Sequence, residues 1–517
     1  MVQVLESFVR GSWTKGQGRG QLLVNPATEE PMAEASTEGL DFAATLDFAR
    51  RVGGSRLRAM SYAERGELLT AMSRVVHQHR DGLLELAMAN GGNTRSDAKF
   101  DLDGCSGTLA YYGALGKELG DRKVLLDEPA IQLGRSPRFV GQHAFVPRRG
   151  VAVHVNAFNF PAWGLGEKAA CALLAGMPVV AKPATSTALV AYRIVQLWVD
   201  AALLPEGALQ LVVGAPGDLL HHLGGEDVLS FTGGGSTAAE LRALAPIVRD
   251  SVRVNVEADS LNAAVLGADV ELGSDTFLAF VRDVTRDITQ KTGQKCTAIR
   301  RVLVPREKLD ELRDALVERL TDVVVGDPAS EGVTMGPVAT AKQLRDVRAG
   351  IERLRAESRC AFGDAALTPR GVPEGKGFFV SPTLLVQEGD DGGRAVHEHE
   401  VFGPVATLIG YDGTEQAIEL VRRGGGGLVT SLYTDDRSVG GELVLGLASA
   451  HGRLVLGSAK VVEQIPGPGT VLPQTIHGGP GRAGGGEELG GRRGLAFYAQ
   501  RVAVQGDRPM LEAILGT

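Results

Sequence analysis

The sequence predicts an α/β protein built on parallel sheets, and three observations carry that prediction. Between residues 151 and 258, short apolar runs rich in β-branched residues alternate with helical patterns. The same alternation restarts beyond Leu261. The strand candidates of the first region run out at polar residues or glycine: Asn159, Lys182, Gly214, Thr232 and Glu257. Alternation of this kind puts crossover helices on both faces of a sheet. Ligands of such sheets gather at the carboxyl ends of the strands, so these five residues mark a nucleotide site.

Residues 1–60 read as short strands and turns, followed by a helical pattern from Tyr62 to about Asn90 that GGNT (91–94) ends. Residues 95–120 read as a further helix, with Leu109, Tyr111, Tyr112 and Leu115 as its core candidates. The strand candidates that follow are VAVHVN (151–156), MPVVAKP (177–183), LQLVVG (209–214), VLSFTGG (228–234) and VRVNVEA (252–258). Helical stretches separate them at about 162–174, 187–202 and 218–223, and from Ser236. Beyond Leu261 come a helix over about 274–289, the loop KTGQKC ending at Cys296, a strand at 300–305 and a helix over 309–321. A strand-like RVAVQG (501–506) follows a glycine-rich stretch at 477–491.

Composition narrows the function. Of 517 residues 69 are glycine, without a G-X-Y period, which points to many tight turns rather than collagen. Lys plus Arg is 54 against 62 Asp plus Glu, a formal charge of −8, so nucleic acid is not expected as a partner. The four cysteines, Cys105, Cys171, Cys296 and Cys360, show no CxxC pairing, so neither disulfides nor metal are expected and a reducing cytoplasm fits. No signal peptide or transmembrane run is expected either.

Four residues stand out chemically, each with a purely structural alternative. Cys296 is either a small buried hydrophobe or a nucleophile in a polar loop, with Lys295 beside it to favour the thiolate. Glu257, closing an apolar strand, is either a salt-bridged carboxylate or a base with a raised pKa. Lys182 either snorkels or points its donors at a ribose or phosphate. Asn159 either caps a helix or donates to an oxyanion. Two patterns are set aside. Gly479-Pro480-Gly481-Arg482-Ala483-Gly484 fits G-x-G-x-x-G, but no strand is expected before it. His397-Glu398-His399-Glu400 is read as a strand whose alternate residues face opposite ways, not as a metal site.

Taken together, seven motifs in order resemble the aldehyde dehydrogenase superfamily: AFNFPAW (157–163), VVAKPAT (179–185), SFTGG (230–234), VNVEA (254–258), GQKC (293–296), GFFVSPTL (377–384) and EVFGPV (400–405). The resemblance implies a Rossmann-like coenzyme domain (1–130 and 148–258), an α/β catalytic domain (259–478) and a small β oligomerisation flap (131–147 and 498–517), with a homodimer or homotetramer. It implies Cys296 as nucleophile, Asn159 as oxyanion donor, Glu257 as the base for water and Lys168 near the proton path. Lys182, Thr185, Gly214, Gly217, Asp218, Phe231, Thr232, Gly233, Gly234, Glu400 and Phe402 are the implied coenzyme contacts. Three departures matter. Ala258-Asp259-Ser260-Leu261 follows Glu257 in place of Leu-Gly-Gly-Lys. Gly234 replaces a serine. Gly491 and Ala496 follow Glu488-Leu489-Gly490, so a second acid of the water relay is expected to be missing. Thr185 stands where an acid would repel a 2′-phosphate, which implies NADP. Segments 146–161, 291–301 and 477–491 resemble the branch acting on CoA-linked semialdehydes, with Arg148-Arg149 and Arg300-Arg301 as candidates at the mouth of a CoA tunnel. Dehydrogenases for free semialdehydes are the alternative.

Overall fold

The computed structural model describes residues 2–363, 366–389 and 392–516; the expected domain limits at Met1 and Thr517 fall outside them. Its first seven-stranded sheet runs in the order Arg253–Glu257, Val228–Thr232, Ala152–Val155, Val179–Lys182, Leu209–Leu211, Ser7–Val9 and Ser12–Thr14. The first five strands are parallel, and the N-terminal hairpin extends the sheet antiparallel. Chain order reverses between Ala152–Val155 and Val228–Thr232. Crossovers leave that point in opposite directions, which opens a crevice at the carboxyl ends of the two strands. The central strands Val179–Lys182 and Leu209–Leu211 are wholly buried because helices cover both faces, among them Pro161–Ala175 and Ala188–Asp200.

Local chemistry explains the helix ends. Ser61 and Glu64 form a capping box at the start of Tyr62–Gln78, and Thr94 caps Arg95–Leu119. The helical pattern at 62–90 is two helices, Tyr62–Gln78 and Arg80–Gly91, the second ending at left-handed Gly92. Leu109, Tyr112 and Leu115 are buried in the core, whereas Tyr111 is only partly so.

The second seven-stranded sheet has the order Ser358–Phe362, Thr383–Gln387, Val405–Tyr411, Arg301–Pro305, Ala263–Leu266, Gly427–Tyr433 and His451–Gly457, parallel except at its first strand. Outside both sheets, Ala499–Asp507 pairs antiparallel with Phe139–Pro147 over nine residues. Its exposed apolar residues include Phe139 and Val502.

Two expectations about elements need correction. A strand, Ile476–Gly479, does precede the G-x-G-x-x-G match. It belongs to an antiparallel ribbon with Gly486–Leu489, with no βαβ unit around it. His397 and Glu398 lie in a short helix, Ala395–Glu398, rather than on a strand. His397 accepts or donates at Arg301 and Gly392, not toward a metal.

Candidate active site

Cys296 lies in the loop that follows the helix Asp275–Thr289, and several fixed contacts hold this loop. Lys291 and Thr292 both adopt left-handed backbone angles, a rare and strained state for a β-branched residue. Thr292 Oγ1 donates to Gly336 O at 2.9 Å, and Lys291 Nζ sits 4.5 Å over the Phe160 ring. Gly293 has φ +66, and a Cβ there would meet Gly403 O at 2.1 Å. Asn262 Nδ2 donates to Cys296 O and Ala298 O. The backbone around Cys296 is thus pinned by contacts from Gly336, Gly403 and Asn262.

Lys295 does not serve the thiol. Its ammonium is buried and bonded to Asp287 Oδ1 at 2.5 Å and Gln290 Oε1 at 2.8 Å. Burial, and then the Glu257 carboxylate, push the Cys296 thiol well above its ordinary pKa.

Asn159 stands just before the helix Pro161–Ala175, and its Nδ2 donates to Gln294 O at 3.0 Å. An amide nitrogen carries two protons, so one bond anchors the side chain and the other remains for a substrate oxygen. Glu257 ends its strand beside Cys296. Thr232 Oγ1 donates to Glu257 Oε2 at 3.4 Å, and His477 Nε2 lies 3.2 Å from Oε1.

Behind them, Lys168 is buried between two carboxylates, 3.1 Å from Glu167 Oε1 and 3.1 Å from Glu488 Oε2. Burial alone lowers an ammonium pKa, but Glu488, Glu167 and Glu257 outweigh it and hold Lys168 charged. Glu488 Oε1 accepts from Ser230 Oγ at 2.6 Å and Asn255 Nδ2 at 2.8 Å. Neither Gly491 nor Ala496 supplies an acid, as the sequence reading has it, but Glu488 itself reaches the interior beside Lys168.

Two cavities meet at Cys296. One is a cleft of about 810 Å³ at the reversal point of the first sheet, which reaches from Lys182 and Phe231 to Glu400 and Phe402. The other is a narrow pocket of about 40 Å³, walled by Phe100, Phe160 and Trp163 and floored by Cys296, Asn159 and Glu257. The three rings meet edge to face with centroids 5.2–5.9 Å apart.

The aldehyde dehydrogenase family profile matches residues 13–504. The chain belongs to the aldehyde dehydrogenase family. It is 44% identical over 477 residues to 3,4-dehydroadipyl-CoA semialdehyde dehydrogenase of Aromatoleum evansii, covering 92% of this chain and 93% of that one. It is 27% identical to the α-ketoglutaric semialdehyde dehydrogenase of Bacillus subtilis over 83% of this chain and 85% of the relative. Its fold matches betaine aldehyde dehydrogenase of Staphylococcus aureus, solved with NAD+, at TM-score 0.83 and 22% identity, over 97% and 94% of the two chains. An aldehyde dehydrogenase of Bacillus cereus, also solved with NAD+, matches at TM-score 0.83 and 23% identity, over 98% and 97%.

The larger cleft of this aldehyde dehydrogenase fits a nicotinamide coenzyme. Phe231, Thr232, Gly233, Gly234, Lys182, Glu400 and Phe402 line it. Lys182 Nζ has one weak bond, to Pro183 O at 3.3 Å, and burial lowers its pKa to about 8. Glu400 Oε1 is buried without a hydrogen bond, 3.5 Å from Arg300, and burial raises the carboxyl to about 7. Lys182 is left short of partners, which suits a cleft built for a polar ligand, whereas Glu400 is held by Arg300 and by Ser260 N, which donates to Oε2 at 3.0 Å. Asp259, one of the sequence departures, accepts from Gly235 N at the start of the helix Gly235–Arg242.

Four expected coenzyme contacts stand outside the cleft lining. Thr185 is buried in the turn Thr185–Thr187, Gly214 packs against Thr37, Gly217 against Phe42, and Asp218 contacts His222 at 2.8 Å. Of the two arginine pairs only Arg149 is exposed. Arg301 is fully buried on Leu261, Leu420 and Val421 carbonyls, and Arg300 faces Glu400. Arg148 binds Gln500 and the carbonyls of Gly225 and Glu226. Sequence reasoning missed Glu167, Glu488, Asn262 and His477. A buried lysine on an apolar helix implies carboxylate partners, and that was the available signal for the first two. Among the described residues no helix is long and apolar enough to cross a membrane, and all four cysteines are free.

Proposed function

We propose that this enzyme oxidises a CoA-linked, unbranched semialdehyde, 3,4-dehydroadipyl-CoA semialdehyde, to its acid with NADP as oxidant, as a step of aerobic benzoate degradation. The observation that carries the substrate assignment is the 44% identity, end to end, with the Aromatoleum evansii enzyme of that name.

The residues divide the chemistry as follows. Cys296 passes its proton to the Glu257 carboxylate beside it, which relays it onward, and the sulfur attacks the aldehyde carbon to form a thiohemiacetal. The free N–H of Asn159 receives the oxyanion. When bound, the nicotinamide supplies the hydride acceptor that turns the thiohemiacetal into a thioester. Lys182, Glu400 and Phe402, which line the cleft, would hold the coenzyme there. Glu257 directs water onto the thioester carbonyl, the C–S bond breaks, and the acid leaves. Lys168 with Glu167 and Glu488 gives protons a buried polar route away from the site.

NADP is favoured by Lys182, which lines the cleft, with a neutral Thr185 in the turn just behind the lining, where the resemblance places an acid. A neutral hydroxyl leaves a 2′-phosphate unopposed, and a desolvated ammonium gains most from a dianion. The strands Phe139–Pro147 and Ala499–Asp507 carry the expected homodimer or homotetramer contacts. The chemistry is tested with Cys296→Ala, which is expected to bind coenzyme but not turn over; normal turnover would refute it. The substrate class is tested by competition. A non-reactive acyl-CoA is expected to inhibit aldehyde oxidation, less so at high salt. No inhibition, with tight turnover of short free aldehydes, would favour a free-semialdehyde dehydrogenase instead.

A further inference from the structure

One titratable group at the site has no part in the chemistry above. His477 lies on the strand Ile476–Gly479, register partner of Glu488, and is buried. It lines the same pocket as Cys296 and Asn159. One ligand atom each from His477, Glu257 and Cys296 lie within 4.8 Å of one another. Its Nε2 is 3.2 Å from Glu257 Oε1, an oxygen that has no aligned hydrogen-bond donor.

Other charged groups face this trio from every side. Glu167 and Lys168 come from the helix Pro161–Ala175, Glu488 from the paired strand and Arg453 from the strand His451–Gly457; Glu400 acts on Cys296 from the cleft. Burial lowers the imidazole pKa, and Arg453 lowers it further. Glu257 and Glu167 more than reverse this, so His477 titrates above its ordinary value. For Glu257, burial acts upward, but His477 and then Lys168 bring it well below the carboxylate range. While His477 is protonated, a carboxylate held that low is a poor acceptor for a water proton, because general bases work best with a pKa near the working pH.

We propose that Glu257 and His477 act as one proton-accepting pair, in which Glu257 orients the water and His477 Nε2 is where its proton comes to rest. The proposal rests on the reading that Cys296 carries the thioester. In the step, one water O–H bond breaks as the oxygen bonds to the thioester carbon. The C–S bond breaks, and Cys296 leaves as thiolate. The proton crosses the Glu257 carboxylate to neutral His477, which becomes imidazolium while Glu257 stays anionic. No electron changes hands. The pair accepts a proton only when His477 is neutral, so thioester hydrolysis rises with pH through an apparent pKa above 6.5, the ordinary imidazole value.

The experiment is single-turnover kinetics by rapid quench across pH for the wild type, His477→Phe and His477→Gln, with Glu257→Gln alongside. Phenylalanine keeps the ring and removes the nitrogen; glutamine keeps a polar group. Both His477 variants are expected to retain the burst of reduced coenzyme. Both should hydrolyse the thioester about tenfold more slowly, or worse, at pH 8, with the acidic limb displaced by about one pH unit or more. An unchanged limb and unchanged hydrolysis in both variants would overturn the pairing. So would loss of the burst, which places His477 in the earlier step. If Glu257→Gln fails to accumulate a thioester, the underlying reading fails instead; accumulation with unaltered His477 variants fails the pairing alone.

Discussion

Replacing Thr185 with glutamate should invert the coenzyme preference. Thr185 and Lys182 are both buried, at 6% and 8% exposure, on the same strand-to-turn segment. A carboxylate introduced there stands beside the position proposed for the 2′-phosphate, with little solvent to screen the pair. Two like unit charges about 5 Å apart at an effective dielectric near 20 repel by about 3 kcal/mol. That is on the order of a hundredfold in kcat/KM with NADP. With NAD the carboxylate meets hydroxyls rather than a phosphate, so kcat/KM should hold or rise. The same carboxylate also restores charge to Lys182, whose pKa burial lowers to about 8. The assay is initial-rate kinetics with both coenzymes at one aldehyde concentration, with the thermal midpoint checked against wild type. A Thr185→Glu enzyme that is folded, active with NAD and still prefers NADP would refute the reasoning.

Three further outcomes follow from the same structure. NADP affinity should fall as pH rises through about 8, because a free-state Lys182 pKa near 8 means that charged lysine, the form a phosphate binds, is lost above it; calorimetric titration should show proton uptake on NADP binding at pH 8 and little at pH 6. Asn159→Ala should cost about a hundredfold or more in kcat with coenzyme binding intact, since one oxyanion donor disappears; an unchanged kcat would remove Asn159 from that role. Lys295→Met should destabilise the fold by about 3–5 kcal/mol, because Asp287 is left buried without its cation. Denaturant unfolding reads this, and a loss of activity without a loss of stability would return Lys295 to the thiol.

How much was legible in the sequence depended on how far each residue's partners lie along the chain. Asn159, Lys182 and Glu257 could be read because they close or follow strands of one sheet, and strand order alone aligns those ends. Cys296 could be read because its polar, glycine-containing loop is local. Lys295 was misread for the opposite reason. Sequence adjacency suggested a partner for the thiol, but the backbone turns and sends the ammonium to Asp287, eight residues back. Glu488 and His477 lie in a glycine-rich stretch with neither a 3.6 nor a 2 period, so nothing local shows which way their side chains face. Only the ribbon pairing of Ile476–Gly479 with Gly486–Leu489 aims both inward. The strand before Gly479 escaped notice because an antiparallel ribbon rich in glycine lacks the apolar run that marks a sheet interior.

The long span closed by Glu488 has a consequence for how the enzyme comes into being. Ser230 and Glu488 are 258 residues apart in sequence, and Asn255 and Glu488 are 233 apart. Contacts of such separation form late, after their loop-closure entropy has been met. On the ribosome, at roughly 5–20 residues per second, Lys168 emerges well over ten seconds before the carboxylate that neutralises it. Until then the first sheet can assemble around Ala152–Val155, but the interior behind Glu257 lacks its counter-charge. The ribbon of Ile476–Gly479 with Gly486–Leu489 is thus among the last segments to be made, and it is the one that brings the Glu488 carboxylate to Lys168.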